Sequence, residues 1–308
     1  MGARHAGVAL DLTTVGPRAL AEGLPEGPVL VDLGGCDPEG VTLGRSGSEA
    51  GAASLAGFRA ALLVAEAGLA DLVAFTPFNK HSMRLARASY VDEIGFVDAV
   101  LGADRSGREF NVLDEVWNAR ATSHIPLREV AGALTEERIF DSLALTEEVM
   151  RAAGFERPRI GVAALNPHAG DGRNFGHEDE DVLAPAVARA QGRQMAVTGP
   201  VPSDTVFVRA LKGEFDAVMT MYHDQGQIAM KLIGFDRGVT LIAGYPFPIV
   251  TPAHGTAYDI AGRGVADTGA TFAALALGRR LAARSPRREP DPDLARTLPD
   301  RIVEAVPA

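Results

Sequence analysis

The sequence predicts an α/β fold in which largely parallel strands are flanked by helices. Segments typical of strands alternate with segments typical of helices, a pattern that favours parallel strands joined by helices. The chain of 308 residues is long enough for one large core or two lobes. Its 34 glycines and 19 prolines are spread along the chain rather than gathered in one tract. We therefore expect a globular protein throughout.

The first half of the chain is predicted to form two units of strand and helix. The segments are a small-residue helix over 55–68, a strand over 72–75, a helix from 79, a strand that ends at or near His124, and a helix that begins after Thr135 and stops at Gly154. Thr135 is expected to cap this last helix, because its hydroxyl can accept a hydrogen bond from the first turn. Glu136 and Glu137 favour the same start, since carboxylates interact well with a helix N-terminus.

The second half repeats this alternation. The segments are a strand over 159–165, a loop over 166–177, a helix near 178–191, a strand over 195–197, a helix near 204–212, a strand over 215–221, a helix over 227–232 and a strand over 239–243. We expect an irregular Gly- and Pro-rich stretch through Gly264, then a helix over about 267–283 and a loose tail or short docked helix. No GxGxxG motif stands between a strand and a helix, so the ordinary dinucleotide fingerprint is absent.

Composition argues against several classes of partner. The formal net charge of −10 disfavours nucleic acid, because affinity for phosphates comes from clustered lysine and arginine. No stretch reaches the roughly 20 apolar residues of a membrane-spanning helix, so we expect no membrane partner. The single Cys36 cannot form an internal disulfide, and no signal-peptide pattern opens the chain. We therefore expect a cytoplasmic protein.

Three histidines each follow a predicted strand. The carboxyl ends of parallel strands meet at one crevice, so His124, His168 and His223 are candidates for one site. Three imidazoles with an open position suit a catalytic divalent cation such as zinc, cobalt or nickel. They lie too far apart in sequence for a local zinc motif, so ordinary capping or core histidines stay as the alternative. Asp224 either orients His223 or caps the following helix.

Lysine is rare in this chain, and its three positions are Lys80, Lys212 and Lys231. A lysine can shift its pKa where an arginine cannot, which is a physical reason to keep one at a site. Lys80 stands at the start of a predicted helix, where anions are favoured, and Lys231 follows His223 on another helix. Each can also be an ordinary solvated lysine.

Five longer motifs stand out: Thr76–Lys80, Thr122–Leu127, Leu165–Gly170, Gly199–Thr205 and Met221–Gly226. Together they resemble the 4-hydroxythreonine-4-phosphate dehydrogenase (PdxA) family of pyridoxine and pyridoxal phosphate biosynthesis, over about Gly44–Gly278. That family has an isocitrate/isopropylmalate dehydrogenase-like fold. The resemblance implies a two-lobed molecule, with residues 1–90 and 255–308 in lobe one, residues 91–254 in lobe two, and the site between them.

The resemblance also implies chemistry. In the family, the residues matching His124, His168 and His223 bind one divalent metal per subunit (Zn, Co, Ni, Mn or Mg) at a site shared across a homodimer interface. The implied activity is NAD-dependent, metal-assisted oxidation of the CH–OH group of a small hydroxy acid, with or without later decarboxylation. Lys231 matches a substrate-binding lysine, whereas Lys80 and Asp224 are our own candidates for proton transfer or carboxylate binding.

The segment from His254 to Gly264 is similar to the HGxAxDIAGxG loop that holds the adenosine part of NAD in the wider superfamily. This similarity assigns His254, Gly255, Asp259 and Gly262 to cofactor binding. It also explains why the ordinary dinucleotide fingerprint is absent.

Several positions depart from the family pattern. Thr240 replaces a substrate-contacting asparagine, Ile249 replaces an arginine, and Glu93-Ile94 stand where the family has His-Thr. Losing an arginine removes a bidentate contact to a phosphate or carboxylate, so we expect a different hydroxy acid or vicinal diol as substrate. The family's GDPAGIGPE-type loop is not found before Gly44, which implies a start codon set too late or a lost strand.

Three other functions compete with the leading hypothesis. A dihydrodiol dehydrogenase acting on an aromatic cis-diol carboxylate lies within the same family, and the loss of arginine at Ile249 permits it. A metal-dependent hydrolase or lyase would use the three histidines to activate water, although the NAD-type loop argues against it. A non-catalytic binder of small molecules is the third.

Overall fold

The computed structural model describes residue 3 and residues 6–37, 40–103, 107–234 and 236–303. The strands are β1 Thr13–Val15, β2 Val29–Val31, β3 Val73–Ala74, β4 Arg108–Val112, β5 Trp117–Arg120, β6 Ile160–Ala163, β7 Val197–Val201, β8 Ala217–Thr220, β9 Val239–Ala243 and β10 Ile249–Pro252. The helices are α1 Ala19–Glu22, α2 Ser48–Glu66, α3 Lys80–Ala86, α4 Glu93–Leu101, α5 Leu127–Ala133, α6 Glu136–Ala152, α7 Ala184–Gly192, α8 Ser203–Leu211, α9 His223–Gly234, α10 Gly269–Ala282 and α11 Pro292–Val303.

Eight of these strands form one sheet in the order β3-β10-β9-β4-β5-β8-β6-β7, and β1 and β2 pair separately. The pairings β3–β10, β5–β8, β8–β6 and β6–β7 are parallel. The pairings β10–β9, β9–β4 and β4–β5 are antiparallel. The predicted α/β class with a mostly parallel, helix-flanked sheet is therefore confirmed, with antiparallel strands at its centre.

The parallel half of the sheet is buried on both faces. Along β8, Ala217 and Met219 point into a core built with α6, α7 and α10, whereas Val218 points into a second core with α8 and α9. This alternation follows from the two-residue period of a strand. It explains why these strands read as continuous apolar runs.

A third cluster lies at the other end of the sheet. It gathers apolar side chains of α2, α3, α4 and α11 around Ile242, Phe247 and Ile249. Of the two forms expected for the C-terminal segment, the structure has the docked helix, since Leu298 and Ile302 of α11 are buried there. Arg59 of α2 ties it down by donating from Nε (3.0 Å) and Nη2 (2.7 Å) to the carbonyl of Arg301.

Several predicted boundaries are confirmed. Thr135 caps α6 by accepting a hydrogen bond from the Arg138 N–H at 3.1 Å. The strand over 239–243 has the predicted bounds, and β6 and β8 lie within their predicted segments. None of the described helices has the length and hydropathy needed to span a bilayer.

Other boundaries were wrong for reasons of local chemistry. β10 lies inside the stretch expected to be irregular, because the prolines around it resemble a loop. β7 runs over 197–201 rather than 195–197, and Pro200 within it is tolerated at the sheet edge, where an N–H is not needed. β5 ends at Arg120, four residues before His124.

Helix α9 packs unusually close to β5. A Cβ atom at Gly226 would lie 2.1 Å from Oδ1 of Asn118. Asn118 cannot turn away freely, since its Nδ2 donates to the carbonyls of Ala119 (3.1 Å) and Val218 (3.0 Å) and to Thr220 Oγ1 (3.1 Å). The glycine therefore sets how near the N-terminus of α9 comes to the sheet.

We expect Gly226→Ala to lower the free energy of unfolding by about 1–3 kcal/mol, because the added methyl group overpacks this contact. Urea unfolding monitored by circular dichroism measures the effect. Gly132→Ala is the control, since nothing lies within 4 Å of a Cβ there, and it should be neutral or stabilising by up to about 1 kcal/mol. Equal stability of Gly226→Ala and wild type would contradict the close approach.

Candidate functional site

Three neighbouring parallel strands end at one edge of the sheet, and each predicted metal-binding histidine follows one of them. His124 comes after β5, His168 after β6, and His223 after β8 as the first residue of α9. Strand topology thus places all three at the same edge, as the sequence predicts.

Two of these histidines face each other. The ring centroids of His124 and His223 are 5.4 Å apart with an interplanar angle of 41°. His124 Nδ1 lies 3.3 Å from Oδ2 of Asp92, and His223 Nδ1 lies 2.6 Å from Oδ1 of Asp224. A carboxylate on Nδ1 fixes the ring orientation and leaves Nε2 for another partner. Nε2 of each ring has no hydrogen-bond partner within the described residues.

His168 is not part of this pair. It is exposed in a short 3₁₀ turn over Pro167–Gly170, with its ring 6.2 Å from that of Phe175. His168 and Ala169 both have positive φ, 54° and 55°, in a region that non-glycine residues rarely adopt. Across residues 3–303, excluding the segments not described, no group of three His, Cys, Asp or Glu side chains could hold a metal ion.

The N-terminus of α4 connects the histidine pair to Lys80. Asp92 caps this helix by accepting from the Gly95 N–H at 2.9 Å, and its other oxygen contacts His124. The hydrogen bond with His124 is the main reason that the pKa of Asp92 is lowered, and the charge of Lys80 acts in the same direction. Lys80 itself forms an ion pair with Glu93, with Nζ 2.9 Å from Oε2.

A buried ion pair that the sequence did not reveal lies beside the histidines. Arg120 Nη2 is 2.7 Å from Glu109 Oε1, and Arg120 is only 4% exposed. Burial alone would raise the pKa of Glu109, but the Arg120 guanidinium outweighs burial, and the pKa is lowered. His124 and His223 contribute to the same lowering, and Glu109 lines the same cleft as His124. The sequence signal that could have revealed this pair is the presence of Glu109 and Arg120, two opposite charges, within neighbouring apolar segments.

A cleft of about 290 Å³ opens next to His124, and we call it the His124 cleft. Its lining includes Asp92, Asp98, Glu109, Arg120, His124 and Arg138. The cleft therefore joins the end of β5, the start of α4 and the first turn of α6. Small polar molecules could be held here by charged groups on several sides.

The three predicted substrate-binding residues do not lie together in the structure. Lys231 is exposed on α9 and borders a cavity of about 20 Å³ with Asn111. Thr240 lies on β9, where its Oγ1 is 3.4 Å from Asn111 Nδ2. Ile249 has no exposed surface and lies opposite Ile242 and Val73 in the core. The structure thus groups Lys231 and Thr240 around Asn111, and places Ile249 in the core.

The predicted cofactor loop follows β10. His254 Nδ1 lies 2.9 Å from the carbonyl oxygen of Gly255, while its Nε2 is buried with no partner. Gly255, Asp259 and Gly262 are exposed, and Gly262 has φ of 77°. β10 runs opposite to β5 and β8, so this loop leaves the other edge of the sheet from the histidine pair.

Comparison with known proteins identifies close relatives. A family model described as pyridoxal phosphate biosynthetic protein PdxA matches residues 13–278, so the similarity begins well before Gly44. A protein of Rhizobium meliloti (strain 1021), provisionally named 4-hydroxythreonine-4-phosphate dehydrogenase 2, is 55% identical over 281 residues, which cover 91% of this chain and 81% of that protein.

Two solved structures share the fold. The 4-hydroxythreonine-4-phosphate dehydrogenase of Klebsiella pneumoniae superposes with a TM-score of 0.74 at 32% identity, over 90% of this chain and 85% of that chain. A terephthalate 1,2-cis-dihydrodiol dehydrogenase of Burkholderia xenovorans LB400 superposes with a TM-score of 0.63 at 26% identity, over 90% of this chain and 86% of that chain.

We expect Arg120→Met to lower the free energy of unfolding by about 1–3 kcal/mol at neutral pH, because the largely buried Glu109 carboxylate would lose its partner. The pKa of Glu109 is lowered in the folded wild type, so its contribution is present above the unfolded-state pKa and is lost as pH falls through the folded-state pKa. The difference between Arg120→Met and wild type should therefore shrink on acidification.

Urea unfolding at a series of pH values measures this difference. Arg209→Met is the control, because its ion pair with Glu214 is on the surface, where solvent screens it, and its loss should change the stability little. Adding Glu109→Gln to Arg120→Met should recover part of the lost stability. A pH-independent loss would mean that the charge of Glu109 is not the cause.

Proposed function

The chain belongs to the PdxA family of dehydrogenases, and from this premise we propose that it is an NAD-dependent, divalent-metal-assisted enzyme that oxidises the CH–OH group of a small hydroxy acid. The observation that carries this proposal is the pair His124 and His223, which face each other with Nδ1 of each ring held by a carboxylate.

This pair is suited to supply two of the three ligands of a three-histidine metal site. Neutral imidazoles fit Zn²⁺, Co²⁺ or Ni²⁺ better than Mg²⁺ or Mn²⁺, which prefer oxygen ligands. His124 and His223 of one subunit would hold the ion together with His168 of the partner subunit, since the described residues of one chain do not form a complete set. A metal ion bound here would supply Lewis acidity toward the substrate hydroxyl.

The chain's own residues orient this site. Asp92 and Asp224 fix the two rings through Nδ1, and Asp92 is itself held by the N-terminus of α4. Lys80 lies near Asp92 and is held by Glu93, and it could transfer a proton once that ion pair opens. Lys80 and exposed Asp224 remain our candidates for proton transfer.

The loop from His254 to Gly264 fits a nicotinamide dinucleotide. His254 offers a buried Nε2 without a partner, and such an unsatisfied group is rare unless a ligand or water completes it. Gly255 and Gly262 carry no side chain, so a ligand can approach the backbone closely. Asp259 is exposed and free to accept hydrogen bonds from a ribose. We propose that this loop binds the adenosine part of NAD.

We propose a substrate other than 4-hydroxythreonine 4-phosphate. Ile249, which stands where the family has an arginine, is buried among apolar side chains and offers no cation to a ligand. A cis-dihydrodiol carboxylate is the second candidate, favoured by the fold shared with the terephthalate 1,2-cis-dihydrodiol dehydrogenase. We also propose the two lobes 1–90 with 255–308 and 91–254. The packing of α2, α3 and α11 into one apolar cluster supports lobe one, although α4 and Ile242 and Ile249 of the other lobe also join this cluster.

The activity is tested with chelated protein reloaded with Zn²⁺, Co²⁺, Ni²⁺, Mn²⁺ or Mg²⁺, followed by NADH absorbance with a panel of hydroxy acids and diols. We expect NADH formation only in the metal-loaded protein, and poor turnover of 4-hydroxythreonine 4-phosphate. Efficient turnover of that compound would refute the altered substrate. NADH formation in the chelated protein would refute the requirement for a metal ion.

The shared site is tested by mixing inactive subunits. We expect His168→Ala and His223→Ala each to lower kcat by at least about 100-fold, as loss of a metal ligand does. After the two variants exchange subunits, activity should return to about a quarter of wild type, because half of the dimers are mixed and each has one intact site.

The control is a mixture of His124→Ala and His223→Ala, which should stay inactive because both substitutions affect the same half of the site. Mass spectrometry of the mixed dimers confirms exchange. Exchange without recovered activity would show that His168 and His223 of a site come from the same subunit, which would refute the proposed division.

A further inference from the structure

Arg138 is an exposed guanidinium on the wall of the His124 cleft, and the proposed metal and cofactor sites do not use it. It is the third residue of α6, and its backbone is fixed at both ends. Its N–H donates to Thr135 Oγ1 at 3.1 Å, and its carbonyl accepts from Ser142 Oγ at 2.8 Å. Its side chain has no ion pair or hydrogen bond with any described residue.

The described carboxylates of the cleft are all engaged elsewhere. Asp92 contacts His124, and Glu109 pairs with Arg120. Asp98 accepts a hydrogen bond from the Tyr245 hydroxyl at 2.5 Å. Arg138 therefore contributes a positive charge to the cleft that no described lining residue neutralises.

Arg120 provides a second, independent sign of a ligand at this place. It is 4% exposed and lines the same cleft, yet its Nε and Nη1 have no hydrogen-bond partner. Buried donors left unpaired are rare and cost free energy, so a ligand oxygen or an ordered water is the usual partner of such groups. The buried guanidinium of Arg120 and the exposed one of Arg138 thus border the cleft beside His124, as does Arg108, whose Nη1 donates to the carbonyl of Gly107.

We propose that Arg138, together with Arg120, binds the carboxylate of the substrate, and so determines specificity for an acid over a neutral alcohol. This assignment rests on the proposed dehydrogenase function. A guanidinium matches a carboxylate through two parallel hydrogen bonds. One unneutralised cation also balances a carboxylate better than a phosphate monoester, which carries about −1.5 to −2 charges. Arg138 would thus supply the positive charge that the family's arginine provides at the position of Ile249.

Calorimetric titration of the metal-loaded protein, without NAD, tests the assignment independently of turnover. The probes are terephthalate cis-dihydrodiol, 4-hydroxythreonine 4-phosphate and inorganic phosphate. We expect Arg138→Gln to raise Kd about 10–100-fold for the carboxylate ligands, as loss of a charge-assisted contact does, and to leave inorganic phosphate unchanged. Arg138→Lys should have a Kd between those of the wild type and Arg138→Gln, because lysine keeps the charge and loses the bidentate geometry.

Arg151→Gln is the matched control on the same helix, since Arg151 is exposed and pairs with Glu147 at 3.2 Å, away from the cleft. Its Kd values should equal those of wild type, and all three variants should keep the wild-type Tm. In turnover, Arg138→Gln should raise KM more than it lowers kcat.

Three results would overturn the assignment. The first is that Arg138→Gln binds the carboxylate ligands as tightly as the wild type does. The second is that Arg138→Gln loses affinity for inorganic phosphate but not for the carboxylate ligands. The third is that the wild type binds neither carboxylate ligand. Failure of the proposed function has a different signature. Carboxylate binding that depends on Arg138, without NADH formation from any substrate, would retain the binding site and reject the dehydrogenase.

Discussion

The buried ion pair between Glu109 and Arg120 lies where the two halves of the sheet meet. β4 and β5 are antiparallel, and they join the β3-β10-β9-β4 half to the parallel half β5-β8-β6-β7. A charge pair taken out of water is costly unless both partners stay in place, so it constrains the register of these two strands. His124 follows β5 directly, so the position of its ring depends on this junction.

The second constraint is the close contact of α9 with β5, which sets His223 against His124. Gly226 allows α9 to approach β5 closely, and hydrogen bonds of the Gln225 side chain hold the start of α9 in this position. Its Oε1 accepts from the Met221 N–H at 2.6 Å, while its Nε2 donates to the carbonyl of Ala164 at 2.7 Å and to Ser203 Oγ at 2.9 Å. One side chain thus joins the ends of β6 and β8 to the start of α8. The segment Met221–Gly226 thus holds the start of α9 in place and carries the proposed ligand His223.

The sequence predicted those parts of the fold that local chemistry determines. The Thr135 cap, the strand 239–243 and the edge shared by three histidines follow from side-chain type and alternation. The pairing of Glu109 with Arg120 and the burial of Ile249 depend on strand register, which one sequence does not specify. The separation of His168 from the other two histidines depends on the turn after β6, whose positive φ values have no signature in non-glycine residues.

The arrangement of charges gives the His124 cleft a direction. Carboxylates of Asp92, Asp224 and Glu109 surround the histidine pair, whereas Arg138 stands on the wall formed by α6. If Arg138 holds the carboxylate of a hydroxy acid, the rest of that small molecule can extend along the cleft to His124, which lines the same cleft. Its hydroxyl would then lie beside the histidine pair, where the proposed metal ion would bind it. The positions of Arg138 and of the histidine pair would therefore together orient the substrate, with its oxidisable carbon facing the pair.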